Sequence, residues 1–273
     1  MGGRNSKRNL KPRILSNGWL MSQSGLRLVE SFLSIQGEGK FQGRLAIFLR
    51  FFGCNLNCAG FNVKVKSQKT GEILTGCDTI RAVFTGHFEA KTFSKDEILS
   101  IVDRYCKDLK FKPIIVMTGG EPLIHHKDEN FINLTSEFLR REFEVHFETN
   151  ATIEIDFDKF PVYRSCYFAL GIKLSNSGIS KAKRINESAI KSICQNAKDS
   201  FYKFVLHKPT SDDLEQILQV LNIYKNEVWC MPMGAEQDEL SRNALAVANF
   251  AIKHGFNYSE RIHIRIWDKK EGV

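Results

Sequence analysis

An α/β fold, with a parallel sheet under covering helices, is what this sequence predicts, on two observations. From residue 43 onward, short apolar runs alternate with amphipathic stretches of helical period, the pattern of repeated βα units. Five polar or glycine-rich motifs fall just after successive predicted strands: Arg50 with Cys54, Thr118-Gly119-Gly120-Glu121-Pro122, Glu148-Thr149-Asn150, residues 173–176 and residues 231–234. In parallel α/β sheets and barrels that edge is where ligands bind.

The elements follow in order. A first strand spans 26–35 and ends in the turn Gln36-Gly37-Glu38-Gly39, where two glycines bring backbone close to a ligand beside one carboxylate. A strongly apolar strand over 43–52 delivers Arg50 and Cys54 at its end. Ser94 with Glu97 three residues on is a capping box that opens a helix to about residue 109. Strands are expected over 112–117, 144–147, 167–173, 202–207 and 228–231, and a final alternating strand over 261–267. Helices are expected over 130–141, 187–197, 212–224 and 236–254.

The chain has 273 residues, 42% of them hydrophobic, enough for one large α/β domain. We expect a basic tail over 1–25 and a single domain over 26–273. No stretch of eighteen apolar residues occurs, and the charges near the start lack an apolar segment behind them. A cytoplasmic location with no membrane partner is the expectation. The net charge of +8 is spread over tail, hairpin and helices, so it reads as solvated faces and no nucleic-acid partner is expected.

Seven cysteines is an odd number for a disulfide framework. Cys54 and Cys58 stand four apart, and Cys77 follows after eighteen intervening residues. A lysine-rich hairpin over 59–76, alternating through Val63 and Val65, turning at Thr70-Gly71 and returning through Leu74, would bring Cys77 back beside Cys58. Three thiolates without a fourth nearby ligand suit a metal centre with an open position. Small buried core thiols remain the alternative, as does a zinc or nucleic-acid-binding module with a distant fourth ligand.

The cysteine stretch, the Gly-Gly-Glu-Pro motif and the βα repeat together resemble a radical S-adenosylmethionine enzyme, which implies a partial (β/α)6-type parallel barrel. More narrowly, Gln36-Gly37-Glu38-Gly39, the run from Phe48 through Arg50 to Cys54, Cys77-Asp78-Thr79, Glu148-Thr149 and His263 resemble the 7-carboxy-7-deazaguanine synthases of the queuosine precursor pathway. The likeness runs from about Leu28 to Ile266. Three departures stand out. Phe61 occupies the family's usual third-cysteine position, so Cys77 is matched instead on the Asp78-Thr79 that follows it, with the hairpin inserted between the second and third cysteines. Gly171 stands where serine is common, and the last predicted strand continues past its usual end.

The resemblance implies a [4Fe-4S] cluster on Cys54, Cys58 and Cys77, with S-adenosylmethionine on the fourth iron, contacted by Gly76, Asp78, Gly120, Glu121, Lys173, Met231 and Pro232. It implies Mg2+ held through Thr79. It implies 6-carboxy-5,6,7,8-tetrahydropterin as substrate, bound by Ile35, Gln36, Gly37, Glu38, Arg50, Thr118 and His263. Glu38 and Arg50 carry the catalytic roles: a guanidinium suits the substrate's carboxylate, and a carboxylate suits its guanidine-like edge. The reaction implied is a radical ring contraction with loss of ammonia, a carbon-nitrogen lyase step, in a homodimer served by a flavodoxin- or ferredoxin-type donor. An activase that makes a glycyl radical on a partner protein would share the cysteines and Gly-Gly-Glu-Pro.

Overall fold

The computed structural model describes residues 25–270 and 272. The expected basic tail, but for Gly25, lies outside them. The strands are β1 (Leu26–Ile35), β2 (Leu45–Phe51), β3 (Val63–Lys66), β4 (Ile73–Gly76), β5 (Lys91–Phe93), β6 (Ile114–Gly119), β7 (Val145–Thr149), β8 (Tyr167–Leu170), β9 (Asp199–Leu206), β10 (Val228–Pro232) and β11 (Asn257–Tyr258). The helices are α1 (Ile80–Val83), α2 (Lys95–Cys106), α3 (Glu129–Arg140), α4 (Lys181–Arg184), α5 (Glu187–Asn196), α6 (Ser211–Ile223), α7 (Gln237–His254) and α8 (Ile262–Trp267).

Nine strands form one sheet in the order β11-β10-β9-β8-β7-β6-β2-β1-β5. From β2 to β11 every neighbour pairs parallel, and β1 and β5 add antiparallel strands at one edge. All six residues of β6 are buried, as a central parallel strand requires. The β3 and β4 strands pair antiparallel as a separate ladder, Val63 opposite Gly76 and Lys66 opposite Ile73, between Cys58 and Cys77.

Side-chain alternation sorts each strand between two faces. Ile47, Leu49 and Phe51 of β2 join the main apolar core with Phe131 and Phe138 of α3 and Ile98 and Val102 of α2. Ala46 and Phe48 point the other way and pack with Ile114, Val116 and Phe32. Along that second face, Phe41, His146, Tyr167 and Phe201 form an aromatic floor: His146 stacks on Tyr167 at 4.5 Å, and Phe41 meets both edge-on. Gly39, at φ +69, lets the turn carrying Phe41 lie on this floor, since a Cβ there would meet the Phe201 ring at 2.6 Å. The same face is polar further along the strands, and there the cavity opens.

The Ser94 capping box is present: the Ser94 hydroxyl accepts from the Glu97 amide at 3.2 Å, and the Glu97 carboxylate accepts from the Ser94 amide at 2.7 Å. A second box, Thr210 with Asp213, starts α6. The segment expected as a final strand over 261–267 is instead helix α8. Its alternating isoleucines mimic a strand, yet β11 already occupies the partner side of β10. Of the three, Ile264 is buried and Ile266 is 56% exposed, which is no sheet pattern. The strand expected over 167–173 stops at Leu170, and the strands β5 and β11 have no counterpart in the sequence reading.

Candidate functional site

A cavity of about 1100 Å³ lies at the C-terminal ends of the parallel strands. Ile35, Gln36, Gly37, Glu38, Arg50, Thr118 and His263 line it, as do Cys54, Cys58, Cys77, Asp78, Thr79, Gly120 and Lys173. The sheet register explains the convergence. Arg50 of β2 stands beside Thr118 of β6, and Glu148 of β7 beside Ala169 of β8, all on the face that carries the aromatic floor below.

Three of the lining residues are thiols. Burial pushes Cys54 up to about 12 and Cys58 to about 11, and it raises Cys77 as well. Cys58 and Cys77 also raise Cys54, and Cys77 raises Cys58, so the three lie within electrostatic reach of one another. Lys173, whose ammonium sits 5.9 Å above the Phe61 ring, pulls Cys58 and Cys77 the other way. The Thr79 hydroxyl stands 3.2 Å from the Cys77 sulfur, and the Leu56 amide donates to the Cys54 sulfur at 3.4 Å. Among the described residues no three His, Cys, Asp or Glu side chains are grouped to hold a single metal ion. Thiolates are the usual protein donors to iron–sulfur clusters, and also serve zinc.

A network of charged groups lines the same cavity. Glu38 accepts from Lys203 Nζ at 2.7 Å and from Arg261 Nε at 2.7 Å. Arg261 also donates to Asp78 at 2.6 Å and to the Gly234 carbonyl at 2.7 Å. Burial alone would raise the Glu38 carboxyl, but Lys203 and Arg261 outweigh it and hold it well below the usual carboxylate range. Glu148 accepts from Thr118 at 3.0 Å and from Gln36 at 3.3 Å, with Lys203 3.5 Å away. Arg50 donates through Nε to Glu30 at 2.6 Å. Its two terminal nitrogens have no acceptor among the described residues. Gly37 lies against His263, because a Cβ there would fall 2.0 Å from the ring nitrogen.

Four residues expected at a cofactor do not line the cavity. Glu121 is fully buried and accepts from the Asn150 amide at 2.6 Å, the Thr149 hydroxyl at 2.8 Å and the Leu123 amide at 3.0 Å. It ties β6 to β7 and caps the turn that opens at Pro122, with both of its oxygens engaged inside the fold. Met231 and Pro232 are buried under the cavity, and Met233 and Gly234 reach it in their place. Gly76 sits against Ile80 and Phe84, where a Cβ would be tight at 3.2 Å. Lys203 and Arg261 are site residues that no motif in the sequence marks. The available signal for Lys203 was a lysine on the inward alternation of an otherwise apolar strand.

The glycines of Gly-Gly-Glu-Pro have a local task. At Gly119 (φ +147) a Cβ would lie 2.1 Å from the Phe51 carbonyl oxygen, and at Gly120 it would lie 2.7 Å from the Cys54 Cβ. The end of β6 is thereby pressed onto the loop that presents Cys54, an arrangement held by the Glu121 amide donating to the Gly53 carbonyl at 2.9 Å. Gly119→Ala is expected to destabilise the protein by at least about 3 kcal/mol. Thermal unfolding measures this, and a midpoint equal to wild type would contradict the packing.

Comparison with known proteins finds relatives over most of the chain. The 7-carboxy-7-deazaguanine synthase of Halobacterium salinarum is 26% identical over 265 residues, covering 89% of this chain and 91% of that protein. The enzyme of the same name from Rhodopirellula baltica is 26% identical over 264 residues, covering 92% and 90%. In structure, QueE from Escherichia coli matches with a TM-score of 0.61 at 19% identity over 87% of this chain and 94% of that one, a likeness of fold. No helix among the described residues is long and apolar enough to cross a membrane. The family model for a 4Fe-4S single cluster domain matches residues 35–194, a span that holds Cys54, Cys58, Cys77 and the Gly-Gly-Glu-Pro turn, and the chain belongs to that family, with 7-carboxy-7-deazaguanine synthases among its relatives.

Proposed function

We propose that the protein is a 7-carboxy-7-deazaguanine synthase, a radical S-adenosylmethionine lyase that contracts the ring of 6-carboxy-5,6,7,8-tetrahydropterin with loss of ammonia in queuosine precursor synthesis. The observation that carries this reading is one cavity lined by three thiols together with the Glu38, Lys203, Arg261 and Asp78 charge network. The parallel strands β2 and β6 to β10 would be the six strands of the partial barrel. The cytoplasm, a homodimer and a flavodoxin- or ferredoxin-type electron donor complete the proposal.

Cys54, Cys58 and Cys77 would hold the [4Fe-4S] cluster through soft thiolate donors. Their raised thiols mean that iron must displace three protons on binding. When bound, the cluster and S-adenosylmethionine together would supply one-electron chemistry at the substrate. The chain's own residues bind and orient. The carboxylate of Glu38 accepts from the guanidine-like edge of the pterin. Arg50 offers its terminal nitrogens to the substrate carboxylate while Glu30 fixes its Nε. Thr118 and Glu148 form a polar wall beside the ring. Thr79, with a hydroxyl at the cavity, suits Mg2+, which takes few protein ligands and keeps its waters.

Anaerobic reconstitution followed by incubation with S-adenosylmethionine, Mg2+ and 6-carboxy-5,6,7,8-tetrahydropterin tests the reading by mass analysis of the product. The expected product is 7-carboxy-7-deazaguanine. Arg50→Lys keeps the charge but loses the paired terminal nitrogens, and we expect turnover at low substrate to fall about a hundredfold with smaller loss at saturation. Unchanged turnover in that variant would remove Arg50 from substrate binding.

A further inference from the structure

A second cavity, of about 290 Å³, lies away from the first among α4, α5 and α6. Arg184 lines it and is itself buried, 6% exposed. Its guanidinium donates to the Lys173 carbonyl at 2.9 Å and to the Gln216 side-chain oxygen at 2.8 Å, both neutral, and Nε has no partner. Among the described residues no carboxylate pairs with it. Asp212 acts on it only through its field, without an ion pair, and a buried cation that lacks a paired counter-charge is costly, which a bound anion would offset.

The surroundings have the charge for that. Lys181 and Lys191, both exposed, line the same cavity. Lys181 donates to the neutral Gln219 oxygen at 2.7 Å. Of the nearby carboxylates, Glu187 is drawn to Lys191 at 3.7 Å, and Asp212 is engaged by the Gln216 amide at 2.7 Å. Three cations thus face one lining carboxylate. The cavity exceeds what a phosphate group fills but is far smaller than the first.

We propose that this cavity binds a phosphate group, free or carried on a small organic molecule, between Arg184 as floor and Lys181 and Lys191 as rim. The site reaches the larger cavity through the backbone, because the guanidinium that would meet the anion also holds the carbonyl of Lys173.

Calorimetric titration of the whole protein with inorganic phosphate and, separately, with glycerol phosphate, at constant ionic strength against chloride, tests the proposal. Saturable binding of either is expected, and which one binds more tightly distinguishes the two sources. Lys181→Ala/Lys191→Ala, made on exposed side chains, should weaken it about tenfold, and Glu187→Gln should tighten it. Absence of saturable binding by both probes would overturn the proposal. So would an affinity unchanged in the double variant, which would put the anion in the larger cavity.

Discussion

Replacing Cys77 by alanine is expected to reduce reconstituted iron from about four per chain, as a [4Fe-4S] cluster requires, to near zero. The variant should be colourless, and its thermal midpoint before reconstitution should match wild type within about 2 °C, since among the described residues the lost thiol hydrogen-bonds to Thr79 alone. The reasoning is one of ligand number. Cys54 and Cys58 sit on the loop after β2, and only the β3–β4 ladder returns a third thiol to the same cavity. Phe61, where the family's third cysteine usually falls, lies in the 3-10 turn after Cys58 with Lys173 above its ring, so it contributes no ligand. Iron and sulfide analysis with visible absorption decides the matter. A brown Cys77→Ala protein with full iron content would show that the long-gap cysteine is not a ligand.

Glu38→Gln is expected to destabilise the protein by about 3–5 kcal/mol, the usual result of removing one partner from a buried ion pair. For a chain of this size that corresponds to a fall in thermal midpoint of roughly 10 °C. Lys203 and Arg261 would keep their charges while losing a shared acceptor at 2.7 Å from each. The effect depends on pH with a definite sign. Glu38 titrates well below its ordinary value in the folded protein, through Lys203 and Arg261 despite burial. Its contribution is therefore fully present above the unfolded carboxyl range and disappears as pH falls through the lower folded value. The stability gap between wild type and Glu38→Gln should be constant near neutrality and close in acid. A gap that is absent at neutral pH, or that widens in acid, contradicts the network.

Much of this architecture is legible in the residues. Alternation in β2 and the unbroken apolar run of β6 identify buried parallel strands, and Ser94 with Glu97 states where α2 begins. The motifs after β2, β6, β7 and β8 mark the ligand edge because turn and ligand groups fall where the apolar pattern stops. Depth is harder to read than face. Met231 and Met233 share an alternation, yet only the latter reaches the cavity, since how far a strand end projects depends on the neighbouring strand. Glu121 shows a different limit: a carboxylate after two glycines looks available, but its partners at Leu123, Thr149 and Asn150 come from local capping and from β7. Lys203 and Arg261 meet at Glu38 from positions more than 160 residues away in sequence, which no local pattern encodes. The isoleucines of α8 fit either period over so short a stretch, and the sheet edge taken by β11 decides between them.

The most direct test of the central claim is to quantify, in one anaerobic reaction of the reconstituted protein, the 7-carboxy-7-deazaguanine formed and the S-adenosylmethionine consumed. The proposed function predicts product in large excess over cofactor lost, the result expected if the cofactor is not consumed in turnover. Cofactor cleavage without any deazaguanine product, by a protein with an intact cluster, would contradict the substrate assignment and leave only the family.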